Sequence, residues 1–265
     1  MSHLLSVSSQ DASVVRLPWS SLLSNKAHEI WSKVSGRGYK GQGMIGADAA
    51  RVRHGFASLT GQDFHTYNFP QVWVERRQIP RVLHQRVPRT NATIVDLGCG
   101  PGTSTDVLCH FADPTWTILG YDLTGHLVTE ANRRATRGEF KNRDGVTIAP
   151  RFLCQNIADP LRVMTGDSTS TTPDTATDVL ESESVDLAIS GGVVGLYLQV
   201  EEAERLLVEL RRVVKPSGHI ALDVGPAIRS ATLIRLATAN GFVLVDRARS
   251  CLVEPRPKLV FRKLG

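Results

Sequence analysis

Long apolar runs are absent from this 265-residue chain. None approaches the ~20 consecutive apolar residues that span a bilayer, so no membrane partner is expected. The opening Met-Ser-His-Leu-Leu-Ser-Val-Ser-Ser has neither a positively charged start nor an extended apolar stretch, and a cytoplasmic location is the expectation. Cysteine is scarce. Cys99, Cys109, Cys154 and Cys251 show no C-x-x-C spacing and are too few for a disulfide scaffold, so they read as reduced, mostly buried thiols and no metal site is implied. What remains, 42% hydrophobic and 22% charged residues, is ordinary for a globular protein with a sizeable core.

The most informative string is Val95-Asp96-Leu97-Gly98-Cys99-Gly100-Pro101-Gly102-Thr103. An apolar strand runs into three alternating glycines and then a helix start. Glycine lets the backbone turn sharply and approach a ligand, and the helix N-terminus directs unpaired N–H groups at an anion. In the dinucleotide fingerprint G-x-G-x-x-G/A the third glycine falls one residue later; here Thr103 takes that place, which disfavours NAD. The string resembles motif I of the class I S-adenosylmethionine-dependent methyltransferases. An acid, Asp122, ends the next strand-like segment and strengthens the resemblance.

From residue 91 onward strand and helix signals alternate. Strands are expected at 92–97, 116–122, 150–155, 185–190 and 219–224, with helices near 103–111, 124–137 and 200–214. In the last helix Ala203, Leu206, Leu207, Leu210, Val213 and Val214 recur at helical spacing. Its acidic start and basic end match the dipole, and Pro216-Ser217-Gly218 is read as its stop. A helix at 231–240 capped by Gly241 and strands at 242–249 and 258–262 follow. The expected fold is α/β, a doubly wound, mostly parallel seven-stranded sheet with a C-terminal antiparallel hairpin and a helical N-terminal extension. Residues 1–90 read as an arm and helical cap, with a loose start to about residue 24, a glycine-rich loop at 36–46 and a helix opened by Pro70 and kinked or restarted at Pro80. Residues 91–265 read as the cofactor domain, interrupted by a polar insertion at 165–184.

The resemblance implies S-adenosyl-L-methionine as cofactor and assigns its contacts. Gly98, Cys99, Gly100, Gly102 and Thr103 would form the loop against its methionine part, with Asp96 facing the amino group. Asp122, followed by Leu123, would accept the ribose hydroxyls; its other reading is an N-cap for the helix near Thr124. Asn156 stands where an Asp is commoner and, with Ile157, would meet the adenine. Ser190 and Gly191 would border the methyl group. Neither Asn-Pro-Pro-Tyr nor Asp-Pro-Pro-Tyr occurs, so the chain does not resemble the amino-methylating DNA enzymes, and Leu196-Tyr197-Leu198 stands where a Leu-His-His is frequent.

For the acceptor, Tyr197, His65 and Tyr67 are the candidates to orient or deprotonate it, each with packing as the alternative role. Residues 1–90 hold 12 Lys/Arg against 5 Asp/Glu, a net +7, and 91–265 hold 19 against 21, a net −2. The basic excess lies on the expected cap, where it would meet an anionic molecule, a nucleic acid or only solvent. The expectation is a class I methyltransferase acting on a small organic acceptor by in-line transfer. The alternatives are an RNA methyltransferase gripping phosphates through the basic segment, and a non-catalytic cofactor-binding module. Oligomeric state is left open.

Overall fold

The computed structural model describes residues 47–57, 74–164, 177–249 and 257–265, together with Ala27 and Phe64. Seven strands form one sheet: β1 (Thr93–Leu97), β2 (Thr117–Asp122), β3 (Arg151–Cys154), β6 (Val185–Ser190), β7 (Val214–Asp223), β8 (Phe242–Ala248) and β9 (Lys258–Lys263). Their order is β3-β2-β1-β6-β7-β9-β8. The pairs among β3, β2, β1, β6 and β7 are parallel, and β9 runs antiparallel to both β7 and β8. This is the expected architecture, and it follows from short, wholly buried strands such as Val185–Ser190 alternating with amphipathic helices.

The pleat sends alternate residues to two cores. Val95 and Leu97 share one with α6 (Val200–Val213) and α7 (Ser230–Ala239), through Leu206, Leu210, Leu233 and Leu236. Ile94 points to the other face, against Val107 and Leu108 of α3 (Thr103–Phe111) and Val128 of α4 (Gly125–Thr136). That second core also contains Ile79, Val82, Leu83 and Val87, each no more than 1% exposed. The first three belong to α2, residues 74–83, which continues through Pro80 without a break. The boundary expected at residue 90 therefore divides one core. Burying four such side chains contributes on the order of 6–12 kcal/mol. That is as large as the net stability of a whole domain, about 5–15 kcal/mol.

Several elements depart from the expected pattern. Helix α6 starts from a reciprocal capping box between Gln199 and Glu202, but it ends at Val213 and β7 begins at once. Pro216–Gly218, read as a helix stop, instead lies within the strand where the register to β6 shifts between Val185 and Leu187. Ser217 adopts φ 62° there, and proline, which offers no N–H to a ladder, is at home in such a bulge. Helix α1 (Ala49–Ala57) was not expected. Asp48 starts it, accepting the Arg51 N–H at 2.8 Å, and Val52 and Phe56 bury one face. A short helix, α5 (Val194–Tyr197), follows β6.

The expected polar insertion at 165–184 includes a paired strand. Residues Thr177–Val179 (β5) pair antiparallel with Arg162–Met164 (β4), and Leu180 is buried with its N–H on the Leu161 carbonyl at 2.7 Å. Residues 165–176 of the insertion lie outside the described residues, as do the arm to residue 24 and the loop at 36–46. Cys99 and Cys109 are buried free thiols, whereas Cys154 is exposed. Among the described residues no helix is long and apolar enough to cross a membrane, and no cluster of His, Cys, Asp or Glu could hold a metal ion.

His219 on β7 carries a pH dependence. Burial, and then the nearby Arg86 and Arg262, lowers its pKa from the ordinary 6.5 to about 4, and its Nδ1 is buried with no hydrogen-bond partner. As pH falls through 6.5 the unfolded chain takes up this proton while the folded chain resists it. Stability should thus decline between pH 6.5 and 4, by on the order of 2 kcal/mol after allowing for partial exposure. Denaturant titrations of His219→Gln should show a flatter profile over that window. An unchanged profile would assign the acid sensitivity elsewhere.

Candidate functional site

The strand order reverses at β1, which lies between β2 and β6, and at such a point a crevice opens at the carboxyl ends of the strands. The register places Asp122 beside Cys154 and Leu97 beside Ser190, so the candidate residues gather along that one edge.

The glycine turn needs glycine for conformation and for space. Gly98, Gly100 and Gly102 have φ of 80°, 53° and 83°. A Cβ would lie 2.9 Å from Phe64 Cζ at Gly100 and 2.7 Å from Phe140 Cζ at Gly102, and would overlap the Val193 side chain at Gly98. The Gly98 and Cys99 amides both donate to the Tyr121 carbonyl, at 2.7 and 3.1 Å, which pins the turn to β2. Gly102 caps α3 without a side-chain hydrogen bond. No capping side chain therefore serves the first-turn amides of that helix.

Asp96 is fully buried. Its Oδ2 accepts from Ser104 Oγ at 2.7 Å and Thr105 Oγ1 at 2.6 Å, yet its Oδ1 has no partner, and neither has the buried Thr103 Oγ1. Burial raises the Asp96 carboxyl, opposed by the Thr105 and Ser104 hydroxyls and by Lys258. Two unsatisfied polar atoms at one loop, each costing about 1–3 kcal/mol, fit a polar ligand group that completes them. Half-buried Asp122 accepts the Gly100 N–H on Oδ2 at 2.9 Å and the Thr124 N–H on Oδ1 at 2.8 Å. Thr124, not Asp122, is the N-cap of α4. An ionised carboxylate has about four acceptor sites, so two remain for hydroxyl donors. Burial raises its carboxyl, against the Thr124 and Gly100 amides.

Other candidates serve from behind. The Cys99 sulfur faces Gly120 in the core and burial pushes its thiol well up, so only its backbone belongs to the turn. Leu123 offers its carbonyl to the Cys154 thiol at 3.7 Å. Asn156 Oδ1 accepts the Ala158 N–H at 3.1 Å, and Ile157 is buried in the core beneath. Ser190 is fully buried and internally engaged: its hydroxyl donates to Asp223 Oδ1 at 2.7 Å and its carbonyl accepts from the Lys258 ammonium. Gly191 is half-buried on the turn beyond it.

Tyr197 is buried, with its ring edge-to-face against Phe56 at 5.6 Å; Phe56 in turn lies 6.1 Å from Phe64. Val52 and Phe56 of α1 join Leu127 and Tyr197 in a small cluster with Val193 and Phe64 packed on it. Helix α1 thus packs with Phe64 and Val193, the side chains that lie against Gly100 and Gly98. His65 and Tyr67 lie outside the described residues. Sequence reasoning missed Asp223, Lys258, Glu75 and Phe64. Asp223 ends an apolar strand as Asp122 does and was findable; Lys258 and Glu75 carry no local signal.

A seven-stranded sheet with one antiparallel strand, and a glycine turn between two strand-end carboxylates, define the class I methyltransferase fold. Residues 95–222 match the family of the methyltransferase domain, and the sheet around them has the class I methyltransferase strand order. It is 37% identical over 78 residues to trans-aconitate 2-methyltransferase of Variovorax paradoxus (strain S110), and 39% over 77 residues to that of Methylobacterium nodulans. Each match covers 29% of this chain and 30% of the relative. Magnesium protoporphyrin IX methyltransferase from Synechocystis PCC 6803, a crystal structure with bound SAM, shares the fold with a TM-score of 0.53 at 18% identity, over 82% of this chain and 97% of that one.

Proposed function

We propose that this chain is an S-adenosylmethionine-dependent methyltransferase that acts on a small organic acceptor in the cytoplasm. The observation that carries the reading is the unsatisfied Asp96 Oδ1 and Thr103 Oγ1 at the glycine turn, one strand away from the open acceptor sites of Asp122. When bound, the cofactor supplies an electrophilic methyl group on a sulfonium. Asp122 would hold its ribose hydroxyls, Asp96 and Thr103 its amino acid end, and Asn156 with Ile157 its base. Gly98, Gly100 and Gly102 permit the close approach, and Cys99, Leu123, Ser190 and Gly191 form the backbone around it. Tyr197 and the apolar cluster beneath α1 exclude water from the turn, which favours in-line attack by a held nucleophile. Tyr197, His65 and Tyr67 remain the candidates to orient or deprotonate that nucleophile.

The small-molecule reading is supported by the names of the trans-aconitate relatives. It is supported also by the use the fold makes of its N-terminal arginines. Arg86 pairs with Asp246 at 2.6 Å and Arg81 donates to the Arg249 carbonyl, so both tie the end of α2 and the turn after it to the chain of β8 and just beyond, rather than stand free for phosphates. Calorimetry should show binding of S-adenosylmethionine, and trans-aconitate, as a first acceptor probe, should yield S-adenosylhomocysteine. A folded protein that binds neither form of the cofactor would overturn the reading. Cofactor binding with no acceptor methylated would favour the non-catalytic module. Submicromolar RNA affinity with a log–log salt slope near −0.7 per phosphate contact would favour the RNA enzyme.

A further inference from the structure

We propose that Glu75, on helix α2, is a positioning residue of the transfer site: with Lys258 and Asp223 it clamps the turn 190–195 that walls the glycine loop. The functional part of this inference rests on the methyltransferase reading. Three elements converge on the turn as it leaves β6. From β7, Asp223 accepts from Ser190 Oγ at 2.7 Å, from the Val193 and Val194 amides at 3.2 Å each, and from the Gly195 amide at 2.9 Å. From β9, the ammonium of Lys258, 1% exposed, donates to the Ser190 carbonyl. From α2, the carboxylate of Glu75, 2% exposed, lies against Gly191, where it fills the space that a Cβ would need. Gly191 is thus a glycine because a carboxylate from a distant helix occupies its side.

The charges act together. Burial lowers the Lys258 ammonium, and Asp223, Glu75 and Asp96 oppose that shift, so one buried cation answers carboxylates on β7, α2 and β1. Removing one member of such a cluster leaves the rest uncompensated. The turn they hold carries Val193, whose side chain lies over Gly98, and leads directly into Tyr197. Glu75 touches the turn, not the reacting atoms, and acts through it.

The test uses the full chain with Glu75→Gln, which keeps shape and removes charge. Amide exchange at Val193, Val194 and Gly195 should quicken about tenfold while Ile94–Leu97 hold, and S-adenosylhomocysteine should bind about tenfold more weakly by calorimetry. Gly191→Ala displaces the same carboxylate without neutralising it and should give the same local pattern. A uniform rise in exchange across the sheet would mean a merely structural role and overturn the proposal. So would unchanged exchange at 193–195, or quickened exchange with unchanged affinity. If the wild-type chain binds no cofactor, the methyltransferase reading falls, while the exchange measurement still decides whether Glu75 clamps the turn.

Discussion

Asp122→Ala should weaken S-adenosylmethionine binding by about 10- to 150-fold, the equivalent of about 1.5–3 kcal/mol for hydrogen bonds to a charged group. Two losses combine. The first is direct, since the carboxylate, at the carboxyl end of β2, has acceptor sites left after its two internal bonds. The second is indirect: without Oδ2 the Gly100 amide loses its partner at 2.9 Å, and without Oδ1 the Thr124 amide at the start of α4 loses its own. Asp122→Asn separates them, because its amide oxygen still accepts a hydrogen bond while the charge is gone, and it should lose less. Calorimetry on variants with a wild-type unfolding transition is the measurement. Unchanged affinity in folded Asp122→Ala would remove this residue from the site.

Gly195→Ala should be among the most damaging single methyl groups that could be added to the fold. A Cβ at that position would overlap the Gly225 nitrogen and the Val224 carbonyl carbon, and would lie 2.6 Å from Val224 Cα. All are backbone atoms, and both segments are tied down. The Gly195 carbonyl accepts from Ala227 and Ile228 at 3.0 and 3.3 Å, and its amide is held by Asp223. No flexible side chain can swing aside, so the strain moves a strand end or a helix. Overpacking of this kind costs about 1–3 kcal/mol and occasionally more; we expect the upper end. Gly191→Ala meets only the far end of the Glu75 side chain and should cost less. Chemical denaturation of the two variants gives the comparison, and equal losses would show that the two backbone segments part easily.

The parallel strands were legible because each is a short apolar run bounded by turn residues. Val185–Ser190 was readable to the residue. The glycine turn was legible because its spacing is a backbone requirement, and Gly98, Gly100 and Gly102 all have positive φ. Less readable was which polar group faces the crevice and which is used inside. Ser190 and Cys99 stand at the right places in the chain, but an ammonium from β9 takes the Ser190 carbonyl and the core takes the Cys99 sulfur. No local pattern announces such a partner 68 residues away. The β4–β5 hairpin was hidden because three-residue strands are too short to show a period. Helix α1 had a signal, Asp48 followed by good helix formers with Val52 and Phe56 four apart, which the neighbouring glycine-rich stretch obscured.

Helix α1 and helix α2 both precede the sheet in sequence, yet they are attached in different ways. Helix α2 shares the main core and clamps the turn after β6, so it is not exchangeable; grafting a foreign segment there would unfold what it was meant to retarget. Helix α1 rests on a satellite cluster of four buried side chains, Val52, Phe56, Leu127 and Tyr197, separate from both large cores. Its replacement costs little of the interior. Replacing residues 47–57 and Phe64 should therefore cost the fold little, whereas replacing 74–87 should cost it most of one core.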